Sequence, residues 1–376
     1  MKILYMNHTS RIGGAEKSLL DLMNWQITNS DIELNLLLFE EGESRFSLDK
    51  LWPNCHVEKI SPILLYAKRT SPLSIVFSLI PLYAVSALKI RKKVIAINPS
   101  IIHFNSFKSL MLGILVLNRY PCIFHSRDYY ENLIPRLLLN LASTSCKAVI
   151  AVSKFIKKSN FISHNRLKSF VVYNGFYINT KPAKKWPNNL DELCIGIIGE
   201  ISYSKGVDII IDQFQSLQND ISCTLKIHIY GKVNFGNKNY INFLEEKISK
   251  QNLQEQILFI GYVSDISIIM NDIDVIVVPS RYPESFGRVI IEAMNHRKIV
   301  FSTKKGGAKE LITHGKNGFF WSENVSQNAE ILNRLMSGNI DACDILDNAM
   351  HFVQKNCDID RVYKKIHRIY NLIHRS

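Results

Sequence analysis

The chain has 376 residues, 47% of them hydrophobic and 21% charged, a composition typical of a soluble protein of two or three domains with a substantial core. Its formal net charge is +13. The seven cysteines are scattered, odd in number and free of any C-x-x-C pair, which argues against a disulfide framework or a zinc site and favours a reducing cytoplasm.

The first half of the chain alternates short β-rich runs with longer segments of helical character. The runs lie at residues 3–6, 34–39, 101–104, 122–125, 148–152 and 171–173. The first run is too short for a secretory signal and predicts a buried strand. Strands separated by helical segments form βαβ units, so we predict a parallel sheet.

Positive charge is concentrated in the first half. Between Lys59 and Thr180 there are 17 Lys and Arg against only Asp128 and Glu131, an excess of 15. This asymmetry predicts an anionic partner, and the open alternatives are a membrane surface, a phosphorylated acceptor and nucleic acid. A cluster at Lys154, Lys157, Lys158, Arg166 and Lys168 suits a nucleic-acid backbone, but no nucleic-acid-binding motif accompanies it, so we predict no nucleic-acid partner.

An apolar and then basic segment favours the membrane surface. Residues 70–88 carry no charge, and the cluster Lys89-Ile90-Arg91-Lys92-Lys93 follows them. A membrane span needs about 20 apolar residues, and two prolines and four serines make this run a poor one. Apolar and basic character together is typical of peripheral binding to anionic lipid. The alternative is a buried helix followed by a solvated basic turn.

The second half repeats the same alternation after a linker. Residues 179–189 contain two prolines among mostly polar residues, which is typical of a connection between domains. The later β-rich runs lie at 195–198, 225–230, 257–260, 275–278, 299–302 and 319–321. We therefore predict an α/β protein with two Rossmann-like domains, at residues 1–180 and 181–355.

A predicted strand-loop-helix corner carries the most informative residues, Glu284 and Glu292, which are separated by seven residues. Ligands bind outside the carboxyl ends of parallel strands, and a helix N-terminus there offers N–H groups, here those of Ser285, Phe286 and Gly287. A carboxylate accepts O–H donors, so both glutamates suit the hydroxyls of a sugar or a ribose. The alternative is an ordinary helix N-terminal acid followed by a solvated helix residue.

This corner closely resembles the donor-site signature of the retaining glycosyltransferases of family 4, which have the GT-B fold of two Rossmann-like domains with a cleft between them. Further matching motifs are Gly13-Gly14-Ala15-Glu16, Val172-Tyr173-Asn174-Gly175, Ile195-Gly196-Ile197-Ile198-Gly199, Lys205-Gly206-Val207-Asp208, Gly306-Gly307-Ala308-Lys309-Glu310 and Gly315-Lys316-Asn317-Gly318-Phe319. The resemblance covers the second half densely and touches the first. We also expect a C-terminal helix, residues 356–376, to pack back on the first domain.

The resemblance implies that a nucleotide-diphosphate sugar is the co-substrate. It assigns Lys205 to the leaving diphosphate, Glu292 to the ribose, and Glu284, with the amides of 285–287, to the hydroxyls of the donor sugar. His125 faces that sugar, so Glu284, Lys205 and His125 are the catalytic candidates, and His103 is the competing histidine. Asp128 and Glu131 are weaker candidates for acceptor contact.

The resemblance also assigns a role to Gly13 and Gly14, which lie in the loop that approaches the phosphates. The alternative for these two glycines is a tight strand-to-helix turn that needs positive φ.

Two departures from the family pattern stand out. The position after Gly199, where the family often has a phosphate-binding arginine, is Glu200, and Arg281 or Arg288 are the candidates to replace that arginine. The family's Gly and Pro after the E-x7-E helix are also replaced, by Arg297 and Ile299.

Metal dependence and cofactors are not expected. Asp272-Ile273-Asp274 and Asp358-Ile359-Asp360 satisfy the D-x-D pattern that binds divalent cations in other glycosyltransferases. The first pair precedes a strand, opposite the ligand-binding edge, so we predict turn and cap residues.

The prediction is a retaining, cytoplasmic hexosyltransferase, peripheral on the inner face of the cytoplasmic membrane, with a saccharide or lipid-linked saccharide acceptor in polysaccharide or lipopolysaccharide synthesis. The alternatives are a protein that binds a nucleotide sugar or an anionic glycan without transfer, suggested by Glu200, and a nucleotide-sugar epimerase of similar fold.

Overall fold

The computed structural model describes residues 1–9, 13–39, 56–60, 72–161, 168–180, 186, 191–233 and 238–375, without the side chains of 39, 56–60, 72–83 and 238. Contacts divide the chain into two compact units. The first unit consists of Met1–Gly175 and Ile359–Ser376, and the second of Phe176–Asp358.

The first unit is built on a seven-stranded parallel sheet in the order β3-β2-β1-β4-β5-β6-β7. The strands are β1 Lys2–Asn7, β2 Glu33–Phe39, β3 His56–Ile60, β4 Ile101–Phe104, β5 Cys122–Ser126, β6 Ala148–Ala151 and β7 Lys168–Val171. The helices are α1 Gly14–Asn29, α2 Pro72–Ile97, α3 Phe107–Leu112, α4 Leu133–Ser143 and α5 Lys154–Asn160, and a 3₁₀ turn lies at Ile114–Val116. The C-terminal helix, Ile359–His374, also belongs to this unit.

Two strands of the first unit differ from the prediction. β3 was not predicted, because the sequence His-Val-Glu-Lys-Ile mixes charged and apolar residues, as an edge strand can. The last strand was predicted at 171–173 and lies at Lys168–Val171, where its register is set by pairing with β6. Pairing with a neighbour, and not local hydrophobicity, therefore defines both edges of the sheet.

Side chains along each buried strand alternate between two cores. Ile3 and Tyr5 pack in the core that includes the C-terminal helix. Leu4 and Met6 pack in the opposite core, with Ile90 of α2. Because both faces of β1 are covered, residues 3–6 are all apolar, which is why a continuous apolar run predicted this strand correctly.

The second unit is a six-stranded parallel sheet in the order β10-β9-β8-β11-β12-β13. The strands are β8 Glu192–Ile198, β9 Thr224–Tyr230, β10 Ile257–Gly261, β11 Val275–Val278, β12 Ile299–Ser302 and β13 Phe319–Phe320. The helices are α6 Val207–Asp220, α7 Lys238–Lys250, α8 Ile266–Asp272, α9 Arg288–Asn295, α10 Ala308–Leu311, α11 Val325–Met336 and α12 Ala342–Asn356, and a 3₁₀ turn lies at Tyr203–Lys205. The predicted architecture of two Rossmann-like units is confirmed.

Each sheet has one point at which the strand order reverses. In the first unit this switch point lies between β1 and β4, and in the second between β8 and β11. The crossovers on its two sides run in opposite directions, which leaves a crevice at the carboxyl ends of the two strands. Ligand-binding residues are expected at these two crevices.

Within the described residues, no helix combines the length and the apolar character needed to cross a membrane.

The C-terminal helix covers one face of the first sheet through an apolar stripe. Its buried residues recur at helical spacing, at Val362, Tyr363, Ile366, Ile369, Tyr370 and Ile373. The indole N–H of Trp25 donates to Asp360 at 2.6 Å at the start of this helix. The last residues of the chain therefore complete the core of the first unit.

We predict that Ile366→Ala, at a position only 1% exposed, lowers the free energy of unfolding by about 2–5 kcal/mol, because it opens a cavity under the sheet. Leu372→Ala is the matched control on the same helix, since Leu372 is 47% exposed, and it should change stability by no more than about 0.5 kcal/mol. Urea denaturation followed by tryptophan fluorescence measures both. Equal shifts for the two variants would contradict the packing described here.

Candidate active site

An ion pair joins the two loops that leave the second sheet at its switch point. Lys205 follows β8 and places Nζ 2.6 Å from Oε1 of Glu284, which follows β11. The hydroxyl of Ser280 donates to the same carboxylate oxygen at 2.6 Å. The Lys205 side chain is 35% exposed and that of Glu284 is 21% exposed. The pair is therefore partly open to solvent at the edge where a ligand is expected.

The charge state of Glu284 follows from its neighbours. Burial raises the pKa of the carboxyl group, but the positive charge of Lys205 and the hydrogen bonds from Lys205 and Ser280 outweigh burial and hold the pKa below its ordinary value. At neutral pH Glu284 is a carboxylate that accepts O–H donors, and Lys205 supplies N–H donors and a positive charge. This arrangement can bind a hydroxyl group and an anion side by side.

Glycines after β12 fix the loop that carries Glu284. The N–H of Gly307 donates to the carbonyl oxygen of Glu284 at 2.7 Å. A Cβ atom at Gly306 would lie 2.3 Å from that same carbonyl oxygen, and one at Gly307 would lie 2.5 Å from the carbonyl oxygen of Phe286. The residues of the Gly-Gly motif therefore allow a backbone contact that any side chain would prevent.

A second close backbone contact holds the turn that carries Lys205. Gly206 has φ +69°, and a Cβ atom there would lie 2.2 Å from the carbonyl oxygen of Pro279. The glycine of the Lys-Gly motif thus lets the turn that carries Lys205 touch the loop after β11.

The E-x7-E spacing has a simple structural origin. Glu284 lies in the loop, whereas Glu292 lies in the second turn of α9, which begins at Arg288. Ser285, Phe286 and Gly287 immediately precede this helix. Phe286 is buried, and Gly287 has φ +103°.

Both arginines considered as replacements for the family's phosphate arginine are paired with carboxylates. Arg281 donates to the two carboxylate oxygens of Asp208 at 2.9 and 2.5 Å and lies over the ring of Tyr203 at 4.1 Å. Arg288 lies 3.2 Å from Glu292 and over the ring of Phe176 at 4.6 Å. Glu292 is only 16% exposed, so it is not a solvated helix residue.

Lys205 is the most accessible of the three cations. The side chains of Arg281 and Arg288 are 22% and 15% exposed, against 35% for Lys205. Glu200 is exposed. The geometry thus favours Lys205 as the residue that meets a bound anion.

A buried polar cluster lies at the switch point of the first unit. Asn105 donates to Asn7 at 2.9 Å and so joins the ends of β4 and β1. The Arg127 guanidinium donates to Asn105 at 2.6 Å and to Asn174 at 2.8 Å. Its Nη2 atom lies 3.3 Å from Nδ1 of His125.

The two candidate histidines are in direct contact. His125, 2% exposed, lies within β5, and its Nδ1 is 3.2 Å from Nε2 of His103 on β4. Burial, and next to it the charge of Arg127, lowers the pKa of both imidazoles well below the ordinary value, so both are neutral. The two histidines are therefore linked by one hydrogen bond, in which either ring can be the donor.

Gly13 does not have the positive φ considered for it. Its φ is −114°, an extended conformation open to other residues, and its N–H donates to Glu16 at 3.1 Å. Gly14 is the first residue of α1, and residues 10–12 lie outside the described chain. Asn7 also donates to Glu16, at 3.3 Å, which links this loop to the polar cluster.

The structure adds residues that the sequence did not single out as site residues. Arg127 follows His125 by two positions, and Asn174 and Asp208 lie within the motifs 172–175 and 205–208. Their closeness in sequence to predicted site residues could therefore have indicated them. Asn105 and Tyr370, whose hydroxyl lies 2.7 Å from Nδ1 of His103, had no such signal, because only the fold brings them to the cluster. Asp128 and Glu131, named for acceptor contact, are exposed.

The D-x-D aspartates have partners within the fold. Asp272 closes α8 and accepts from His228 at 2.7 Å, and Asp274 accepts from the N–H of Cys194 at 3.0 Å. Asp360 accepts from Trp25. Among the described side chains, no three His, Cys, Asp or Glu residues come together as metal ligands.

Comparisons with known proteins show which proteins this chain resembles. Residues 179–352, which include Lys205, Glu284 and Glu292, match the family described as Glycosyl transferases group 1. An uncharacterized glycosyltransferase of Methanocaldococcus jannaschii is 29% identical over 254 residues, covering 64% of this chain and 67% of that protein. The lipopolysaccharide 1,2-N-acetylglucosaminetransferase of Salmonella typhimurium is 26% identical over 274 residues, covering 68% of each.

The fold is shared with solved structures along the whole chain. The structure of Anabaena HepE in complex with UDP and glucose has a TM-score of 0.79 and 24% identity, and the match covers 99% of both chains.

We predict that Gly306→Ala destabilises the protein by about 1–3 kcal/mol more than Gly315→Ala, because only the first adds a methyl group against a backbone oxygen. Gly315 is the matched control, since it also has positive φ, +74°, but nothing lies within 4 Å of its missing Cβ. Urea denaturation of both variants gives the comparison. Equal destabilisation would mean that backbone strain alone, and not the close contact with Glu284, requires glycine at position 306.

Proposed function

We propose that this chain is a glycosyltransferase of group 1, and that it is a retaining hexosyltransferase that takes its sugar from a nucleotide diphosphate. The proposed acceptor is a saccharide, lipid-linked, in the synthesis of cell-surface polysaccharide or lipopolysaccharide.

The observation that carries the proposal is the Lys205–Glu284 pair at the switch point of the second unit. Cleavage of a nucleotide sugar leaves a diphosphate whose negative charge increases in the transition state. A cation held in place before the reaction stabilises that charge without reorganisation. In the proposal, Lys205 turns from Glu284 to the diphosphate, and Glu284 accepts from hydroxyl groups of the donor sugar.

The remaining donor contacts follow from the same loop and helix. Glu292 binds the ribose, and the amides of Ser285, Phe286 and Gly287 contact the donor beside Glu284. In the first unit, Gly13, Gly14 and His125 are the proposed site residues. No metal or organic cofactor is included in the proposal.

The relatives support the proposed pathway. The Salmonella relative is named for lipopolysaccharide synthesis, and a mannosyltransferase of Rhizobium leguminosarum, 28% identical over 182 residues, is named for lipopolysaccharide core biosynthesis. The HepE structure was solved with UDP and glucose. These names concern other proteins, and they motivate testing UDP- and GDP-hexoses with this one.

Exposed Glu200, in place of the family's arginine, motivates the first alternative, binding without transfer, and an epimerase of similar fold is the second. A protein that only binds nucleotide sugars would release no nucleotide diphosphate. An epimerase would return a changed sugar still attached to its nucleotide. Incubation with UDP- and GDP-hexoses, followed by chromatography of nucleotides and sugars, separates these outcomes, and NMR of the product's anomeric proton tests retention.

We predict that Lys205→Ala and Glu284→Ala chiefly lower turnover, because both side chains meet groups that change in the transition state. Glu292→Ala should weaken nucleotide-sugar binding by about 1.5–3 kcal/mol, because ribose hydroxyls lose a charged acceptor. Released nucleotide diphosphate measures turnover, and calorimetry measures donor affinity.

Glu330→Ala is the control for Glu292→Ala. Glu330 forms the same kind of i,i+4 pair with an arginine, Arg334, on an exposed helix surface. Its substitution should leave donor affinity unchanged. Wild-type affinity in Glu292→Ala would remove Glu292 from the site, and wild-type turnover in Lys205→Ala would remove Lys205 from the mechanism.

The proposed membrane contact rests on an apolar surface of the first unit. Leu133, Ile134, Leu137, Leu138 and Leu141 of α4 are between 45% and 72% exposed. Their spacing places them on one side of the helix. We call this surface the α4 apolar face. A contiguous set of large exposed apolar side chains is typical of a binding surface.

Basic residues lie on two helices that pack near α4. Asn140 of α4 donates to the carbonyl oxygen of Asn160 at 2.7 Å, which ties α4 to α5, where Lys154 and Lys158 are exposed. The basic residues of the 89–93 cluster are exposed on α2, which packs on the same core as α4. An anionic lipid bilayer matches both the apolar and the basic character.

The sequence alternative for 89–93 needs correction. The cluster is not a turn after a helix, because α2 runs without interruption from Pro72 to Ile97 and includes it. Of the described side chains, Val85 and Leu88 are exposed beside it, whereas Ala87 and Ile90 are buried. Lys68, Arg69 and Arg166, which also contribute to the charge excess, lie outside the described residues.

We predict that the protein binds vesicles containing phosphatidylglycerol at low salt, and that binding weakens as the Debye length shortens to about 8 Å near physiological ionic strength. Changing Arg91, Lys92 and Lys93 to Gln should weaken binding by up to about 3 kcal/mol, at about 1 kcal/mol per basic residue. The double variant Ile134→Ser/Leu141→Ser should weaken the vesicle binding that remains at high salt, because that binding depends on apolar contact. Co-sedimentation measures all three proteins.

Ile268→Ser is the control for the apolar substitutions, since Ile268 is 60% exposed on α8 of the second unit. It should bind vesicles as the wild type does, and all the variants should keep wild-type affinity for nucleotide sugars. Wild-type protein that stays in the supernatant at low salt would contradict membrane binding and leave a soluble anionic acceptor as the partner of the basic surface.

A further inference from the structure

Arg281, in the loop after β11, contacts the turn that carries Lys205 on both sides of that lysine. Before the lysine, the backbone N–H of Arg281 donates to the carbonyl oxygen of Ser204 at 2.9 Å, and its guanidinium lies over the ring of Tyr203 at 4.1 Å. After the lysine, the same guanidinium donates to both carboxylate oxygens of Asp208. One arginine of the neighbouring loop therefore holds the turn at both ends.

The carboxylate of Asp208 has donors on both of its oxygens, although its side chain is only 6% exposed. Oδ2 accepts from Arg281, and Oδ1 accepts from Arg281 and, at 2.5 Å, from the hydroxyl of Tyr240. Burial, and next to it the hydrogen bond with Asp208, raises the pKa of Tyr240, so the hydroxyl keeps its proton as a donor. A buried carboxylate with these partners is compensated for the loss of water.

Tyr240 brings a third element, α7, to the same contact. Its ring lies 6.1 Å from that of Tyr203, edge to face, and its hydroxyl meets the carboxylate at the start of α6. The first turn of α6, the 3₁₀ turn at Tyr203–Lys205 and the loop after β11 thus meet α7 at one point.

The geometry of the guanidinium explains why an arginine stands at position 281. A planar guanidinium makes two parallel N–H bonds to a carboxylate while its flat face lies on an aromatic ring. Arg281 does both, with Asp208 and with Tyr203. A lysine has the same charge but no planar group, so it cannot make both contacts.

The position of the Lys205 ammonium depends on this support. A lysine side chain is long and flexible, so the backbone from which it starts determines which atoms it can reach. Nζ of Lys205 lies 2.6 Å from Glu284, at the edge where an anion is expected. A displacement of about 1 Å at a reacting group can cost about a hundredfold in rate.

We propose that Arg281, Asp208 and Tyr240 are positioning residues that hold the turn at residues 203–206 against the loop after β11 and so place the ammonium of Lys205 for a bound anion. Arg281 is then no phosphate ligand in place of the family's arginine, and it acts through Lys205. The support of the turn follows from the fold, and only the identity of the anion as a nucleotide diphosphate rests on the proposed function.

The first experiment tests the support of the turn without any ligand. Hydrogen exchange followed by mass spectrometry should show faster exchange of the peptides at residues 201–210 and 279–287 in Arg281→Gln and in Asp208→Asn. Asp347→Asn is the matched control, because it removes the same charge from another Arg–Asp pair, with Arg297, at a side chain that is 65% exposed. It should leave both peptides unchanged.

The second experiment uses the sign of a change in affinity for UDP or GDP, measured by calorimetry. If the pair positions Lys205, Asp208→Asn should weaken binding about tenfold, the value of one charge-assisted hydrogen bond. If Arg281 meets the phosphates itself, the same variant frees the arginine and removes a negative charge beside the anion, so binding should become tighter. Asp347→Asn controls for the change in net charge and should bind as the wild type does.

The third experiment is a double-mutant cycle with Lys205→Ala, again on the affinity for UDP or GDP. Each single variant, Lys205→Ala and Arg281→Gln, should weaken binding about tenfold. If Arg281 acts only through Lys205, the double variant should bind no more than about twofold more weakly than Lys205→Ala. Independent phosphate contacts would instead multiply, to roughly a hundredfold.

Three results would overturn the proposal. They are wild-type exchange of both peptides in Arg281→Gln, unchanged or tighter binding in Asp208→Asn, and multiplied losses in the double variant. A wild-type protein that binds neither UDP nor GDP would refute the proposed donor site. Hydrogen exchange would still decide whether the three residues hold the turn.

Discussion

The parallel direction of every strand pair is the constraint on which the rest of the structure depends. In a parallel sheet each strand is followed by a crossover connection, so all the loops that follow strands lie at the end of the sheet where the carboxyl ends of the strands meet. Lys205, Glu284 and the Gly306-Gly307 pair follow three consecutive strands of the second sheet, β8, β11 and β12. Residues separated by up to about a hundred positions in the chain are therefore brought to one place by topology.

Backbone contacts determine how precisely these residues are held. Gly206 approaches Pro279, and Gly306 and Gly307 approach the backbone of residues 284–286. A loop held by main-chain atoms has less freedom than one held by long side chains, because no rotamers need to be ordered. Such a loop is suited to present a carboxylate in a defined position before a ligand arrives.

The partly buried or buried cationic side chains of the two units contact different groups. In the second unit Lys205, Arg281 and Arg288 each contact a carboxylate, which compensates the desolvation of both partners. In the first unit Arg127 contacts the amide oxygens of Asn105 and Asn174 and an imidazole. Its positive charge therefore acts on neighbouring histidines and favours their neutral forms. The same residue type thus holds loops in one unit and keeps two histidines uncharged in the other.

Much of the fold could be predicted from local sequence. Strands covered on both faces require continuous apolar runs, so β1, β8 and β11 were predictable without any knowledge of their neighbours. β3 and β7 were missed or displaced, because an edge strand is defined by its hydrogen-bonding partner. The Lys-Gly and Gly-Gly motifs also stood out in the sequence, although the contact between Gly306 and Glu284 that explains the second motif is visible only in the structure.

The sequence by itself determined the α/β architecture, the family resemblance and the candidates Lys205, Glu284, Glu292 and His125, because each depends on short patterns of residues. Only the tertiary structure decided which groups these side chains meet. It paired Lys205 with Glu284 and both candidate arginines with other carboxylates. It also joined His125 through His103 to Tyr370, which lies 245 positions further along the chain. Pairings of this kind depend on distances between elements that folding brings together, and no local pattern of residues encodes such a distance.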